Sequence, residues 1–186
     1  MNEVEAVKNQ DDLTTIHNLL KKHGSQDYAD IWKLGINVAL RISDLLSIHS
    51  DHINLDRREL EIVESKTGKK RLIRLNGTAV NIIKRRQTEY PDNWYLFQSN
   101  SRRGRSLKKP INRSSVARKF KEIGTIVGIR LSTHSMRKTR GYMMHQAGVS
   151  IEQIARVLNH SSPSVTMHYI GLTKEETLQT YDDFEL

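Results

Sequence analysis

The sequence predicts a mainly α-helical domain with a small antiparallel β-sheet, an α+β fold. Apolar residues recur at helical spacing along most of the chain, as at Leu13, Ile16 and Leu20. Residues 59–75 differ, because two short runs with β-strand character flank a turn at Gly68. A chain of 186 residues buries a sizeable core as one compact domain, and it contains no cysteine for disulfides.

Two helices and a short third are expected before the sheet. The first ends at Gly24, a residue that commonly ends helices. Apolar residues between positions 28 and 36 mark the second helix, which leads to Arg41. Ser43 is a suitable N-cap for a short helix at residues 44–48.

The residue pattern changes at the sheet and returns to helix after it. Apolar and β-branched residues alternate with charged ones in two runs, which is typical of strands. A proline at position 91 ends the next helix, because proline lacks the backbone N–H. The expected elements are strands at Glu59–Val63 and 71–75, a helix at 77–90, a short buried segment at 95–97, a basic loop at 99–110, and helices at Arg113–Val127 and Ser135–Gln146.

Capping residues predict three more helices towards the C-terminus. Ser150 and Gln153 form a capping-box pattern, and Pro163 suits the first turn of the helix that follows. Thr173 and Glu176 repeat the capping-box pattern for a last helix. Its apolar stripe is expected to pack on the domain itself or on a neighbouring protomer.

The net charge of +9 is unevenly distributed. Residues 102–140 hold thirteen lysines and arginines and one acid, Glu122, whereas residues 175–185 hold five acids and no base. This distribution fits a polyanionic partner, although a basic face also occurs in proteins that bind no nucleic acid. Neither a membrane-spanning apolar run nor a signal peptide is present, so a cytoplasmic protein with no membrane partner is expected.

Four polar side chains in the last third of the chain could act on one phosphodiester. His134 and Arg137 are three residues apart and therefore share a helix face. Arginine binds two phosphate oxygens at once through its planar fork. His160 can donate a hydrogen bond to phosphate, and Tyr169, nine residues later, carries a phenol that can attack phosphorus.

Two further candidates lie upstream. Arg41 offers a second fork, and Lys66, in the sequence Ser-Lys-Thr-Gly, offers an acid on a mobile turn. Two arginines can stabilise the charge that gathers on the non-bridging oxygens without a metal ion. No metal or cofactor is therefore expected, and the lack of cysteine excludes a Cys-based zinc site.

In this order and spacing the six residues resemble the tyrosine recombinase, or phage integrase, family. The resemblance runs from about residue 10 to the C-terminus, and its most specific part is the His-x-x-Arg…His…Tyr block. It implies these roles: phosphate clamps Arg41 and Arg137, general acid Lys66, positioning group or base His134, phosphate donor His160 and nucleophile Tyr169.

The resemblance implies a site-specific DNA recombinase that cleaves and rejoins double-stranded target sites through a 3′-phosphotyrosyl intermediate. Its expected partners are further copies of the chain, from dimer to tetramer on DNA, and accessory DNA-bending proteins. Two other functions stay open. Residues 150–160 and 163–169 also resemble a helix-turn-helix, as in a DNA-binding regulator without catalysis. A type IB topoisomerase-like relaxing enzyme would share the chemistry.

Single residues of the set have other interpretations. Arg41 is expected to pair with Asp44 one turn on, which would also fix it in a catalytic site. Lys69 competes for the role of acid, because the register of the turn is uncertain by a few residues. Tyr142 and Tyr181 compete as nucleophiles, but neither follows an Asn-His pair by nine residues.

The sequence departs from the family pattern at three points. Many members have glycine where Asn159 stands, and many have glycine at the position of Ala39. Only forty residues precede Arg41, too few for the N-terminal core-binding domain of most members. Residues 1–186 are therefore expected to be a single catalytic domain without it. They would be either a fragment of a longer integrase or a one-domain form similar to fimbrial phase-variation invertases.

Overall fold

The computed structural model describes residues 4–171 together with Leu178 and Asp182. Helices dominate, and three short strands lie between the third and fourth helices. In chain order the elements are α1 Gln10–His23, α2 Gln26–Val38, α3 Ile42–Leu46, a 3₁₀ turn at Ser50–His52, β1 Ile53–Asn54, β2 Glu59–Val63, β3 Lys70–Arg74, α4 Gly77–Glu89, α5 Arg102–Ser106, α6 Arg113–Val127, α7 Ser135–Gln146, α8 Ile151–Leu158 and α9 Pro163–Ile170.

The strands form an antiparallel sheet in the order β1-β2-β3, which confirms the predicted fold class. Leu60 pairs with Ile73, and Ile62 pairs with Arg71. Leu60 and Ile62 point inward and are buried, as the period of two in a strand requires. The same alternation places Glu64, just after β2, on the buried side.

One face of each long helix contributes to the main core. Trp32 of α2 meets Phe120 of α6 edge to face, with ring centroids 5.4 Å apart, and both are almost completely buried. A second, smaller apolar cluster joins Ala39, at the end of α2, to α8 and α9 through Leu158 and Ile170. This second cluster attaches α8, which precedes His160, and α9, which carries Tyr169, to the rest of the domain.

Several predicted boundaries were wrong. The expected loop at residues 99–110 contains α5, whose N-cap Ser101 accepts a hydrogen bond from the backbone of Gly104 at 3.0 Å. A five-residue helix of mostly basic residues shows no apolar period, so its residue pattern does not predict it. Helix α3 begins at Ile42 with Arg41 at the N-cap position, so Ser43 lies inside the helix rather than capping it.

One strand was not predicted, and one predicted helix lies mostly outside the described residues. Strand β1 was not predicted, because its two residues are too short for a pattern. Most of the predicted last helix, from Thr173 onward, lies outside the described residues, although Leu178 and Asp182 are helical and exposed. Across the described part of the chain, no helix is long and apolar enough to cross a bilayer.

Candidate active site

An open cleft of about 380 Å³ brings together four of the six predicted residues. It lies between the start of α3, the β2–β3 turn and the start of α7. The other two predicted residues adjoin it: the Tyr169 hydroxyl lies 3.3 Å from Nδ1 of His134, and the His160 ring meets the Tyr169 ring edge-on at 4.7 Å. The predicted residues that line the cleft are Arg41, Lys66, His134 and Arg137.

Arg137 is held rigidly in the first turn of α7. It is only 2% exposed, and its two terminal nitrogens donate hydrogen bonds to the backbone carbonyl oxygens of Ala39 and Leu158. These carbonyls lie at the ends of α2 and α8, so the guanidinium is oriented by two helix termini. A guanidinium has five N–H groups, and Arg137 also hydrogen-bonds the side chain of Tyr169.

Ala39 and Asn159, which stand where many family members have glycine, share one backbone conformation. Ala39 has φ 52° and Asn159 has φ 49°, both in the left-handed region. Glycine adopts this region without a steric penalty, and asparagine tolerates it better than alanine does. The left-handed conformation that favours glycine is therefore kept at both positions. Both residues also cap the helix that precedes them.

The predicted pairing of Arg41 with Asp44 was wrong. Arg41 donates from Nη1 to Oε2 of Glu64 at 2.8 Å, and about one fifth of its side chain is exposed at the cleft. Asp44 is buried and accepts hydrogen bonds from the backbone N–H and the hydroxyl of Ser65, at 2.9 and 2.6 Å. Asp44 therefore attaches the β2–β3 turn to α3, while the carboxylate that positions Arg41 comes from the end of β2.

Glu64 is the main site residue that sequence reasoning missed. Its fully buried carboxylate accepts hydrogen bonds from Arg41, Arg71, Thr67 and Asn159. Burial alone would raise the pKa of this carboxyl, but the bonds from Arg71, Asn159 and Arg41 outweigh it and lower the pKa to about 2. The signal was available in the alternation of β2, which places the side chain on the inward face.

Lys66 lies on the exposed β2–β3 turn and lines the cleft, as predicted for the acid. The turn is organised by its neighbours: Thr67 donates to Glu64 at 3.1 Å, and the backbone N–H of Lys69 approaches the Thr67 hydroxyl at 3.4 Å. Lys66 is among the residues that line the cleft and Lys69 is not, so of the two candidate lysines the geometry favours Lys66. Arg113, the first residue of α6, also lines the cleft and was not singled out by the sequence.

The phenol of Tyr169 lies beside a neutral base. Burial raises the pKa of Tyr169, although Arg137 and Arg41 act in the opposite direction. Desolvation lowers the pKa of His134, and the same two arginines lower it further. Near neutral pH the phenol therefore keeps its proton and the imidazole is uncharged. The Tyr169 hydroxyl lies 3.3 Å from Nδ1 and 3.5 Å from the backbone carbonyl oxygen of His134, and Nδ1 can accept the proton when the ring carries its hydrogen on Nε2.

His160 is also uncharged near neutral pH. Burial, followed by Arg137 and Arg41, lowers its pKa to about 4. Its Nδ1 lies 3.1 Å from the hydroxyl of Thr166, one turn before Tyr169 on α9. A phosphate between these cations would favour the protonated ring, because a nearby anion raises the pKa of histidine.

The competing tyrosines are placed differently. The ring of Tyr142 lies under Lys8, whose Nζ is 5.4 Å from the ring centroid, and Tyr142 is not among the residues that line the cleft. Tyr181 lies outside the described residues. Among the described tyrosines, Tyr169 is the one that the structure brings to both His134 and His160.

Comparisons with known sequences agree with this architecture. The sequence model of the phage integrase family matches residues 8–176. The chain is 34% identical over 185 residues to the probable integrase/recombinase YoeC of Bacillus subtilis, covering 99% of this chain and 98% of that protein. It is 31% identical over 137 residues to tyrosine recombinase XerA of Pyrococcus furiosus, covering 72% of this chain but 46% of the relative.

Solved structures share the fold. A crystal structure of XerA recombinase has a TM-score of 0.74 at 17% identity, covering 98% of this chain and 65% of that one. The Tn1549 transposon integrase in complex with a circular intermediate DNA has the same TM-score at 15% identity, covering 98% and 66%. The fold and the cleft define the class of tyrosine-type site-specific recombinases. The chain belongs to the phage integrase family.

Proposed function

We propose that the protein cleaves and rejoins double-stranded DNA at specific sites through a 3′-phosphotyrosyl intermediate on Tyr169. The observation that carries the proposal is the position of this phenol, 3.3 Å from an uncharged His134 and beside Arg137, the guanidinium that two backbone carbonyls hold in place. In this proposal Tyr169 beside the cleft is the nucleophile, and His134 and Arg137 in the cleft are the base and the oxyanion donor.

In the proposed cleavage step the proton of the Tyr169 hydroxyl moves to Nδ1 of His134 as the phenolic oxygen attacks phosphorus. The bond from phosphorus to the 5′-oxygen breaks, and Lys66 gives that oxygen a proton. The products are a 3′-phosphotyrosyl ester and a free 5′-hydroxyl. One phosphodiester replaces another of similar energy, so rejoining by the reverse steps needs no ATP.

In the same proposal Arg41, Arg137 and His160 bind the non-bridging oxygens of the scissile phosphate. Negative charge gathers there during attack, and donors fixed beforehand stabilise it without reorganising. His160 donates to the phosphate from a ring N–H, which the uncharged imidazole also carries. The basic segment at residues 102–140, which includes Arg113 at the cleft, is proposed to bind the flanking phosphates.

Assembly of several copies on DNA is the second part of the proposal. Related solved structures include a lambda integrase dimer bound to a COC′ core site and the XerH recombinase bound to palindromic difH in a post-cleavage complex. We infer that this chain likewise acts as an oligomer on paired target sites. A regulator without chemistry would not need Tyr169 and Thr166 of α9 turned towards His134 and His160.

A plasmid assay separates the candidate functions. Supercoiled plasmid carrying two copies of the DNA that flanks the gene is incubated with the protein in EDTA. Inversion or deletion of the intervening DNA is the expected result, since no step uses a metal. Relaxation without exchange would instead identify a topoisomerase-like enzyme, and binding without cleavage would identify a regulator.

Inverted repeats in the flanking DNA would indicate inversion, whereas an attachment site would indicate integration.

A further inference from the structure

One buried carboxylate connects four separate parts of the cleft, and it is not one of the six proposed reaction groups. Oε1 of Glu64 accepts from Arg71 of β3 at 2.7 Å. Oε2 accepts from Arg41 at the start of α3 at 2.8 Å, from Thr67 in the turn at 3.1 Å, and from Asn159 after α8 at 2.5 Å. The side chain is completely buried, so these bonds are shielded from water.

These contacts fix the relative positions of three proposed reaction groups. Arg41 bonds Glu64 directly. Lys66 follows Glu64 by two residues, on the turn that Thr67 ties to the same carboxylate. His160 follows Asn159 immediately along the chain. A displacement of the Glu64 carboxylate would therefore move the phosphate donors and the acid relative to one another.

A second set of contacts makes the hairpin and α8 one unit. Arg71, held by Glu64 through one nitrogen, donates from the other to the backbone carbonyl of Val157 at 2.8 Å. Glu64 and Arg71 together thus bind α8 at its last turn and at its C-cap. The β2–β3 hairpin is consequently anchored to the segment that leads to His160.

Asn159 supplies a bond that the family's common glycine cannot make. Its backbone adopts the left-handed conformation, and its amide reaches the buried carboxylate. Glycine would satisfy the backbone but would leave Glu64 without this donor. The asparagine and the glutamate are therefore matched to each other in this chain.

Resting on the proposed function, we propose that Glu64 is a positioning residue that, together with Asn159, holds Arg41, the Lys66 turn and His160 in register before DNA binds. Donors that are fixed in advance stabilise the transition state without reorganising. Glu64 itself touches no phosphate in this scheme. Its loss should therefore slow the chemical step and leave the binding of DNA intact.

The loss of charge in Glu64→Gln separates a positioning role of Glu64 from a general structural role. Glu64→Gln keeps the shape of the side chain but removes a negative charge from beneath a DNA-binding cleft. Attraction for DNA should then stay the same or increase, whereas cleavage should slow because Arg41 and Arg71 lose their ionic partner. A purely structural defect would reduce binding and cleavage together.

The test measures single-turnover cleavage of a nicked suicide substrate and, separately, the dissociation constant of the same DNA. Glu61→Gln is the matched control, because Glu61 lies on the same strand but is exposed, and its nearest lysine nitrogen is 4.0 Å away. We expect Glu64→Gln to cleave at least about tenfold more slowly with unchanged or tighter binding, since misplaced donors lose transition-state stabilisation. Glu61→Gln should match the wild type.

Asn159→Gly provides an independent arm should Glu64→Gln fold poorly in thermal melts. It should slow cleavage severalfold at unchanged affinity. The double variant should slow cleavage by less than the product of the two single factors. Wild-type cleavage by either folded variant, or a parallel loss of cleavage and affinity, would overturn the inference. Failure of the wild type to form any adduct would instead count against the proposed function.

Discussion

Two clusters of buried and half-buried arginines and carboxylates lie in this domain, and they differ in charge balance. The core cluster joins α2 to α4. Arg86, 2% exposed, donates to Asp30 at 3.1 Å and pairs with Asp27 at 2.7 Å, while Arg85 pairs with Asp30 at 2.6 Å. The face of Phe97 covers the Arg86 guanidinium at 4.5 Å. Two positive charges therefore face two negative charges.

The cleft cluster is unbalanced. Glu64 accepts from both Arg41 and Arg71, while Arg137 donates to neutral backbone carbonyls. Positive charge is thus left over beside the cleft. The contrast shows that burial of arginine serves two ends: a balanced cluster joins helices, whereas an unbalanced one keeps donors ready for an anion.

Removing an arginine from the core cluster should have the largest effect on stability. Arg86→Met leaves Asp27 without its arginine and Asp30 with Arg85 alone, so the free energy of unfolding should fall by about 3 kcal/mol. Urea unfolding measures this change. Cleavage by the protein that remains folded at low temperature should equal that of the wild type, and a variant as stable as the wild type would break the comparison.

Removing an arginine from the cleft cluster should affect chemistry more than stability. Arg41→Ala removes a donor to the developing charge, so single-turnover cleavage should fall by about 10²–10³. Its unfolding free energy should change less than that of Arg86→Met, because Glu64 keeps Arg71. A cleavage rate within a few fold of the wild type, at full DNA occupancy, would remove Arg41 from the site.

Acid should weaken the cleft cluster through Glu64. Its pKa is lowered from 4.5 to about 2 in the folded state. The contribution of Glu64 is therefore complete above pH 4.5 and is lost as the pH falls through about 2. It is worth about 3 kcal/mol at neutral pH. The difference in unfolding free energy between wild type and Glu64→Gln should shrink from neutral to acid pH, and a constant difference would contradict this assignment.

The smallest expected effect concerns the backbone that holds Arg137. Ala39 adopts φ 52°, so Ala39→Gly should raise the unfolding free energy by about 1 kcal/mol through relief of the left-handed strain. The carbonyl that accepts from Arg137 is unchanged, and cleavage should be as well. A destabilised variant in thermal melts would show that the Ala39 methyl matters more for packing than for strain.

The sequence predicted the candidate reaction groups but not the residues that hold them in place. Tyr169 was preferred over Tyr142 because spacing from Asn-His is local information. The partners of Arg41 and Asn159 were missed, because Glu64 is 23 and 95 residues away from them along the chain. Such pairings depend on how the β2–β3 hairpin packs against α3 and α8, which no local pattern encodes.

Long secondary-structure elements were also predicted better than short ones. Helix α6 was predicted to the residue because its apolar period and its capping residues agree. Strand β1 and helix α5, of two and five residues, were missed because they are too short to show a period. Both are defined by tertiary contacts and caps rather than by residue pattern.

The central claim is that Tyr169 becomes covalently attached to DNA. A nicked suicide substrate carrying the target site, resolved on a denaturing gel, measures this attachment directly. The wild type and Tyr142→Phe should form the adduct, whereas Tyr169→Phe should bind the DNA with nearly unchanged affinity and form none. An adduct in the Tyr169→Phe variant would contradict the account, because another residue would then be the nucleophile.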